Sequence, residues 1–434
     1  MKERVKNIIF HELYWIILLF PLWWVLGVEQ FFWFVSVSIV FIQFLLYNKF
    51  EFHINFIAVL FLLFLVVYGI SFFSIKEKMR YITYFRNLST YITAFMLLII
   101  FWNIIDYWSQ IEKILKAIVF VMLIASVVGI LAFSFEIFRV QFKSLMGYFL
   151  PAFISETGYG SVIASRNVGF YNWFLGLGSY FRPSSFFLYS TMFSSALVIV
   201  LPVALFLRKI NRGIRKIYYS FVIIIMIFAL LATTGRVAIL SFIIAYLIFK
   251  YMTIKNISIR FLLASCIFLF FGIIIFWSIQ SGFLYQCLDL LLYARGEGST
   301  NTRVNIYLQT IHGFLEKPFF GWGTERDITG LAYPLGSHSY YLGTLYKQGI
   351  IGFMLFIGII IAIWNYLKIS YDIDNNYTNF IKYGKLLLLV YILNSFTDVL
   401  DLDATTMMFL WLIFSLLIVS KRLYKYNLNI NLND

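Results

Sequence analysis

Two arginines and a histidine stand where they could act on a phosphate-bearing substrate. The first is Arg236, in the short turn Thr233–Ala238 (TTGRVA) between two apolar runs. A guanidinium in such a turn needs a partner, and no acidic residue is near it in the sequence. Phosphate is a reasonable partner, because arginine binds it through two parallel hydrogen bonds. The alternative is an arginine that only reaches the headgroups of ordinary lipid.

Arg303 follows Gly298–Thr302 (GSTNT), a segment typical of a helix start, because Ser, Thr and Asn are good N-caps. Unsatisfied backbone N–H groups and the positive end of the helix dipole attract an anion at such a place. A cation in the first turn opposes the dipole, so Arg303 suggests a bound anion. A solvated surface arginine is the alternative, and the sequence alone does not separate the two.

His338 is one of only four histidines, and it follows the turn Pro334–Ser337 (PLGS). It precedes an amphipathic segment that leads into an apolar run. An imidazole there could act as a general base or donate a hydrogen bond near neutral pH. The alternative is a structural histidine that caps the helix.

Three aspartates, Asp398, Asp401 and Asp403, form an acidic turn between the last two apolar runs. Such carboxylates could bind a metal or hold a base, but we expect two of the three to be solvated or paired with arginines. No segment matches a Walker loop, an H-E-x-x-H helix or a dinucleotide fingerprint. The two cysteines, Cys266 and Cys287, belong to no Cys/His cluster. We therefore expect neither a metal nor a cofactor.

The composition places these residues in a membrane protein. Of the 434 residues, 62% are apolar and 12% are charged, about half the charged share typical of a soluble domain. This excludes a water-soluble globular enzyme, and the high hydrophobicity throughout excludes a disordered chain. The net charge of +14 is typical of basic cytoplasmic loops and does not indicate nucleic-acid binding. The expected fold is an all-α, polytopic integral membrane domain over residues 1–434.

A membrane span needs roughly 20 mostly apolar residues, and the sequence predicts twelve spans. Most Lys and Arg residues in the loops fall on one side, above all in Arg208–Lys216 (RKINRGIRK), which predicts that both termini are cytoplasmic. The predicted spans lie near Leu13–Val28, Phe31–Tyr47, Ile54–Phe73, Leu88–Ile105, Ile114–Phe135, Phe186–Leu207, Ile217–Thr234, Val237–Met252, Phe261–Ile279, Ile350–Leu367, Tyr383–Phe396 and Thr405–Ser420.

One loop does not fit this orientation. The connection after the third span carries Lys76, Lys78, Arg80 and Arg86 on the predicted outer side. Either a span is misread, or this loop has a function at the outer surface. We predict that it recruits an anionic lipid-linked substrate through residues that include Arg80 and Arg86.

Two predicted outer segments are long, residues 136–185 and residues 280–348, and the second carries Arg303 and His338. Apolar residues at helical spacing in the first segment predict a helix in the membrane interface; they are Phe138, Phe142, Leu145, Met146 and Phe149. Charged residues are nearly absent from the middle of the spans. This pattern favours a reaction at the outer membrane surface over a path through the bilayer.

The order of these motifs resembles the O-antigen polymerase and O-antigen ligase superfamily. The resemblance covers about residues 182–367, and each motif is short, but their order and spacing on one face are fairly specific. The motifs that carry it are Arg182–Phe186 (RPSSF), Thr234–Ala238 (TGRVA), Arg303–Tyr307 (RVNIY), Pro318–Gly323 (PFFGWG), His338–Leu342 (HSYYL) and Gly349–Gly352 (GIIG).

The resemblance implies a C-type membrane glycosyltransferase in the bacterial cytoplasmic membrane, acting on sugars carried by undecaprenyl pyrophosphate. Arg236 and Arg303 would stabilise the departing pyrophosphate without a metal. His338 would orient or deprotonate the acceptor hydroxyl, with inversion at the anomeric carbon. The other predicted substrate-binding residues are Arg182 and four aromatic residues that could stack on sugars or lie in the membrane interface: Trp322, Tyr333, Tyr340 and Tyr341.

Three functions remain open at this point. A polymerase would join lipid-linked repeat units into O-antigen, capsular polysaccharide or exopolysaccharide, with a chain-length regulator protein as a further candidate partner. A ligase would move the finished glycan to a lipid A core or a protein. Many ligases have His-Asn where this chain has His338-Ser339, which favours the polymerase. A lipid-linked sugar transporter should show charged mid-span residues or paired repeats around broken helices, and the sequence shows neither.

Overall fold

The structure is a computed structural model. It describes residues 2–49, 51–155, 158–173, 179–254, 256, 258, 260, 297–328, 333–368, 375–397 and 400–431. The predicted ninth span, Phe261–Ile279, lies outside the described residues, as do Asp398 and residues 280–296 of the second outer segment.

The apolar runs form long helices, because a backbone in lipid must satisfy its own N–H and C=O groups. In chain order the helices are α1 (Lys2–Leu18), α2 (Phe20–Leu26), α3 (Glu29–Tyr47), α4 (Phe56–Ser71), α5 (Lys78–Ile104), α6 (Trp108–Ser134), α7 (Leu145–Phe149), α8 (Ala152–Ser155), α9 (Gly158–Ala164), α10 (Ser190–Ile210), α11 (Gly213–Ala232), α12 (Arg236–Thr253), α13 (Glu297–Glu316), α14 (Tyr340–Tyr366), α15 (Asn376–Asn394) and α16 (Ala404–Asn431).

Nine helices in the described ranges are long and apolar enough to cross a membrane: α3, α4, α5, α6, α10, α11, α12, α14 and α16. The predicted first span is instead a pair of helices, α1 and α2, bent by 57°. The predicted eleventh span corresponds to α15, which falls outside this group because its first half, Asn376–Lys385 (NYTNFIKYGK), is polar. The all-α polytopic membrane fold is confirmed.

The first outer segment was predicted to start with an interfacial helix at Phe138–Phe149, but within that range the structure has only the short α7. The side chain of Ser144 caps the short α7, where its hydroxyl accepts the N–H of Gly147 at 3.0 Å, and the segment also holds two small antiparallel two-stranded sheets. These pair β1 (Gln141–Lys143) with β2 (Ser165–Asn167), and β3 (Gly169–Trp173) with β4 (Ser179–Pro183).

Helices α10 and α16 form the centre of the bundle. Of their span residues, 89% and 94% are buried, whereas only 22% of the α12 span is buried. A polar contact joins the neighbouring α15 to α10, where the side-chain amide of Asn394 donates to the hydroxyl of Ser195 at 2.8 Å. The start of α10 therefore offers a fixed surface to the loops at that end of the bundle.

Helix α14 is broken at Gly349, whose φ is +68°. The turn Pro318–Gly323 docks at the break, where two of its N–H groups donate to the carbonyls of Tyr346 and Lys347 at 2.9 and 2.8 Å. In return, the N–H of Ile350 donates to the carbonyl of the first residue of the turn at 2.7 Å. The motifs Pro318–Gly323 and Gly349–Gly352 therefore act together, because the turn satisfies the polar backbone groups that the break exposes.

Gly349→Ala is expected to lower the free energy of unfolding by at least about 2 kcal/mol, because a residue other than glycine is strained at this φ. A Cβ there would also lie 2.2 Å from the carbonyl oxygen of Phe319. Thermal unfolding of the detergent-purified protein measures the effect. Gly358→Ala is the matched control in the same helix, because its Cβ would meet nothing within 4 Å. Equal unfolding temperatures for the two variants would contradict the prediction.

Candidate functional site

Arg236 begins α12 directly after a strained turn. Thr234 has a φ of +51°, and the N–H of Arg236 donates back to its carbonyl at 2.9 Å. Gly235 lies so close to α10 that a Cβ there would be 2.4 Å from a side-chain oxygen of that helix. On the other side, Nε of Arg182 donates to the carbonyl of Thr233 at 2.8 Å. These contacts fix the position from which the Arg236 side chain extends.

Arg303 is the seventh residue of α13, since the described helix runs from Glu297. The prediction that Arg303 lies in the first turn is therefore wrong, and the argument for an anion at the helix N-terminus does not apply to Arg303. Beyond the first turn the backbone N–H groups are bonded within the helix and the effect of the dipole has decayed. Ile306 and Thr310 are buried and anchor α13, while Arg303 is half-buried.

His338 lies between α13 and α14 with a φ of +61°. Its carbonyl accepts a hydrogen bond from the hydroxyl of Tyr307 at 2.8 Å, and two residues earlier the N–H of Gly336 donates to the hydroxyl of Thr310 at 3.1 Å. Tyr333 packs edge-on against the imidazole, with ring centroids 4.6 Å apart. Nε2 of His338 is buried and has no hydrogen-bond partner among the described residues.

The imidazole of His338 stays neutral over a wide pH range. Burial, and secondly the charge of Arg303, lower the pKa of His338 to about 4, because both disfavour the imidazolium form. A neutral imidazole with an unpartnered nitrogen can accept a hydrogen bond from a hydroxyl group and then take its proton.

Arg303 lies near both His338 and Arg236. Its charge acts on the imidazole of His338 and also on the guanidinium of Arg236, and such interactions require that the groups lie near one another. The structure thus brings together three residues that are far apart in the sequence. The arrangement favours an anion beside the two guanidinium groups and a hydroxyl group beside the imidazole.

Strained backbone conformations gather in the same motifs. Among the described residues, the non-glycine residues with positive φ are Lys49, Ser185, Thr234 and His338. The last three belong to the RPSSF, TGRVA and HSYYL segments. Such conformations cost of order 1–3 kcal/mol each and cluster at functional sites, so this is an independent sign that these segments form a site.

Three other arginines that the sequence predicted to bind substrate hold protein groups. Arg182 holds the Arg236 turn, as described above. Arg80, at 9% exposure, donates to three backbone carbonyls of Trp322–Glu325 at 2.9 to 3.4 Å. Arg86 donates to the side chain of Asn87 at 3.0 and 2.8 Å. The predicted loop that carries Arg80 and Arg86 is also mostly helical, because α5 begins at Lys78. Arg80 and Arg182 therefore position the site loops.

The predicted sugar-stacking aromatic residues mostly pack inside the protein. Trp322 donates its indole N–H to a carbonyl of α13 at 2.7 Å. Tyr340 is 1% exposed, so it has no surface to offer a sugar, and Tyr341 donates to a carbonyl of α15 at 3.0 Å. Tyr333, which is 52% exposed and touches His338, is the aromatic residue of this group that is best placed for stacking.

A buried charged cluster below the site was not predicted. The ammonium of Lys347, about two turns after the start of α14, lies 2.6 Å from Asp401 and 3.8 Å from Glu325. The hydroxyl of Tyr91 donates to the same Asp401 carboxylate at 3.0 Å. Burial raises the pKa of Glu325 despite the nearby Lys347. The cluster ties α14, α5 and the turn before α16 together.

The expectation that the acidic turn is solvated or paired with arginines is wrong for both of its described aspartates. Asp401 binds Lys347, and Asp403 accepts a hydrogen bond from the side chain of Gln30 at 2.7 Å. Next to Gln30, Glu29 forms a buried ion pair with Arg166 at 2.5 Å. Within the described ranges, no group of three or more His, Cys, Asp or Glu side chains could hold a metal ion.

The part of the chain that carries Arg236, Arg303, the docked turn and His338 matches a known family. Residues 221–357, about a third of the chain, match the family model described as O-Antigen ligase. No curated protein matches the chain significantly. The family supports O-antigen polymerase or ligase activity in general, in a multi-pass membrane protein. The match over residues 221–357 supports the resemblance to the O-antigen polymerase and O-antigen ligase superfamily.

Proposed function

We propose that the protein is a polysaccharide polymerase at the outer face of the bacterial cytoplasmic membrane. It joins oligosaccharide repeat units carried on undecaprenyl pyrophosphate into O-antigen, capsular polysaccharide or exopolysaccharide. The observation that carries the proposal is the position of Arg303, whose charge acts on both Arg236 and His338. Glycosyl transfer from a lipid pyrophosphate needs an anion site beside a base, and these residues supply both.

Arg236 and Arg303 act on the donor. As the bond between the anomeric carbon and the pyrophosphate oxygen breaks, the pyrophosphate leaves with the electron pair. Guanidinium groups that are fixed in place before the reaction stabilise this charge without reorganising. Arg182 contributes through the carbonyl of Thr233, which fixes the turn before Arg236. With two arginines the leaving charge is stabilised without a metal ion.

His338 acts on the acceptor. Its Nε2 accepts the hydrogen bond of the acceptor hydroxyl and takes the proton while the new bond from oxygen to the anomeric carbon forms. Attack from the face opposite the pyrophosphate inverts the anomeric carbon. Burial, together with the charge of Arg303, keeps the imidazole unprotonated before the substrate binds, and Tyr333 offers an aromatic face beside it.

The acceptor distinguishes a polymerase from a ligase. Ser339 caps the first turn of α14, where its hydroxyl accepts the N–H of Leu342 at 3.4 Å. An asparagine would cap the helix equally well, so the geometry does not distinguish the two residues. The Ser in place of Asn therefore favours the polymerase only through the family resemblance. The products of the reaction therefore distinguish a polymerase from a ligase.

The full-length protein in proteoliposomes is expected to convert a lipid-linked repeat unit into a ladder of polymer without a lipid A core, and to do so equally in excess EDTA. Gel electrophoresis of the products and NMR of the new linkage measure length and inversion. Sugar that appears only on an added lipid A core would identify a ligase instead. Activity that EDTA abolishes and magnesium or manganese restores would overturn the metal-free mechanism.

A further inference from the structure

A cleft lies at the end of the bundle opposite Arg236 and His338. It has a volume of about 320 Å³ and is lined by the start of α4 and the ends of α14 and α16. Because α14 starts beside His338 and ends at Tyr366, the whole length of that helix separates this cleft from the proposed active site. The cleft is therefore separate from the proposed active site.

Asn55, which lines the cleft, has a donor group that nothing in the described structure satisfies. Its Oδ1 caps α4 by accepting the N–H of Ala58 at 2.8 Å, and this bond fixes the direction of Nδ2. Asn55 is 8% exposed, and Nδ2 has no hydrogen-bond partner among the described residues. A buried donor without a partner costs about 1–3 kcal/mol. It therefore indicates that an acceptor belongs in the cleft, where the positive end of the α4 dipole favours an anion.

Two lysines of α16 add positive charge to the cleft. The ammonium of Lys421 donates to the carbonyls of Tyr366 and Lys368 at the end of α14, which leaves one of its three N–H groups for a ligand. Lys425, one turn further along, is exposed. Lys421 also lies within the electrostatic range of Lys425 and Lys385, and none of the residues that line the cleft is acidic. Like charges held together in this way attract an anion.

Apart from Asn365 and Tyr366, the remaining lining of the cleft is apolar. Phe56, the first residue of α4, is 69% exposed, and Ile57 and Ala362 also line the cleft. A small, fully hydrated anion would leave these groups in contact with water. An anion attached to hydrocarbon chains would cover them, and basic pockets between membrane helices are known binding places for such headgroups.

We propose that this cleft binds the phosphate headgroup of an anionic phospholipid from the leaflet at this end of the bundle. The phosphate accepts the hydrogen bond of Asn55 Nδ2 and lies between Lys421 and Lys425, while the acyl chains pass along Phe56. Such a lipid would hold the ends of α4, α14 and α16 together.

Native mass spectrometry of the full-length protein, released from nanodiscs of mixed phosphatidylglycerol and phosphatidylcholine, tests the proposal. Asn55→Asp and Asn55→Ser both keep an oxygen that caps α4 but lose the amide donor. Lys425→Gln loses a charge. Each variant should retain roughly tenfold less phosphatidylglycerol, the effect of losing one charge-assisted hydrogen bond, with phosphatidylcholine unchanged. Lys216→Gln, an exposed lysine at the same end of the bundle, is the control and should retain the wild-type amount.

Phosphatidylglycerol retention at the wild-type level in the Asn55 and Lys425 variants would overturn the proposal, and so would equal retention of the two lipids by the wild-type protein. Inorganic phosphate, added at constant ionic strength, should leave the bound lipid in place. Release of the lipid by phosphate would mean that the cleft is a site for a free anion.

Discussion

Arg303→Ala is expected to lower the rate of glycosyl transfer by roughly 10² to 10³, the usual effect of removing one fixed donor to a developing charge. Protein abundance and thermal unfolding should stay unchanged, because α13 is anchored by Ile306 and Thr310 and not by Arg303. Arg236→Ala should show a loss of the same size. Lysine should rescue either site poorly, since an ammonium cannot reproduce the planar two-bond contact with phosphate. Turnover of a lipid-linked repeat in proteoliposomes measures all four variants.

The double variant Arg236→Ala/Arg303→Ala tests whether both groups act on one pyrophosphate. Residues that act as a unit are strongly non-additive, so the double variant should lose much less than the product of the two single losses. Arg215→Ala is the control, since Arg215 is exposed at the other end of α11 from the Arg236 turn. A single variant that keeps more than about a tenth of the activity would contradict the electrostatic role.

The sequence predicted the membrane helices well because each depends on a local property. A long apolar run has to form a helix in lipid whatever its neighbours are. Where the prediction failed, the composition was mixed: α15 has a polar first half, and α13 extends through Gly298 to Glu297 although Gly and Ser are poor helix formers. That extension moved Arg303 from the first turn into the second.

The contacts that hold the site together could not be predicted, because they join residues that are distant in the chain. The sequence around Arg80 does not indicate that its partners are carbonyls of Trp322–Glu325. Because Arg80 is a basic residue on the predicted outer side, it was predicted to bind substrate instead. Nor does the sequence around Glu29 indicate its partner Arg166, which lies in the short strand β2. A buried charge is stable only with a partner, so a charged residue next to an apolar run signals a pair without identifying it.

The broken helix α14 is relevant to the transporter alternative. The sequence argued against a transporter partly because it showed no broken helix. The structure has such a break at Gly349. In transporters, broken helices direct their backbone groups at a substrate in the middle of the membrane. In this chain the backbone groups at the break are bonded to the docked Pro318–Gly323 turn. The break thus positions a loop next to the site, and that loop already binds the carbonyls of Tyr346 and Lys347 and the N–H of Ile350.

His338→Asn is expected to lower transfer by roughly 10² to 10⁴, the range for loss of a general base, while binding of the lipid-linked donor is retained. Asparagine is a suitable replacement because it tolerates the positive φ of this position better than most residues. A loss of activity in the His338→Asn variant would therefore not result from misfolding. His312→Asn, on the exposed side of α13, is the control. Donor binding that falls together with turnover would contradict an acceptor-side role for His338.

The pH dependence of the wild-type enzyme tests the same residue without a mutation. Because the pKa of His338 is lowered to about 4, the imidazole stays neutral from pH 7 down to about pH 5. Hence kcat/KM, which reports the free enzyme, should change less than about twofold over that range. A histidine with the ordinary pKa of about 6.5 would lose roughly 25-fold. A steep acid limb near pH 6.5 would mean that the imidazole is solvated and distant from Arg303, and the proton of the acceptor would then need a different base.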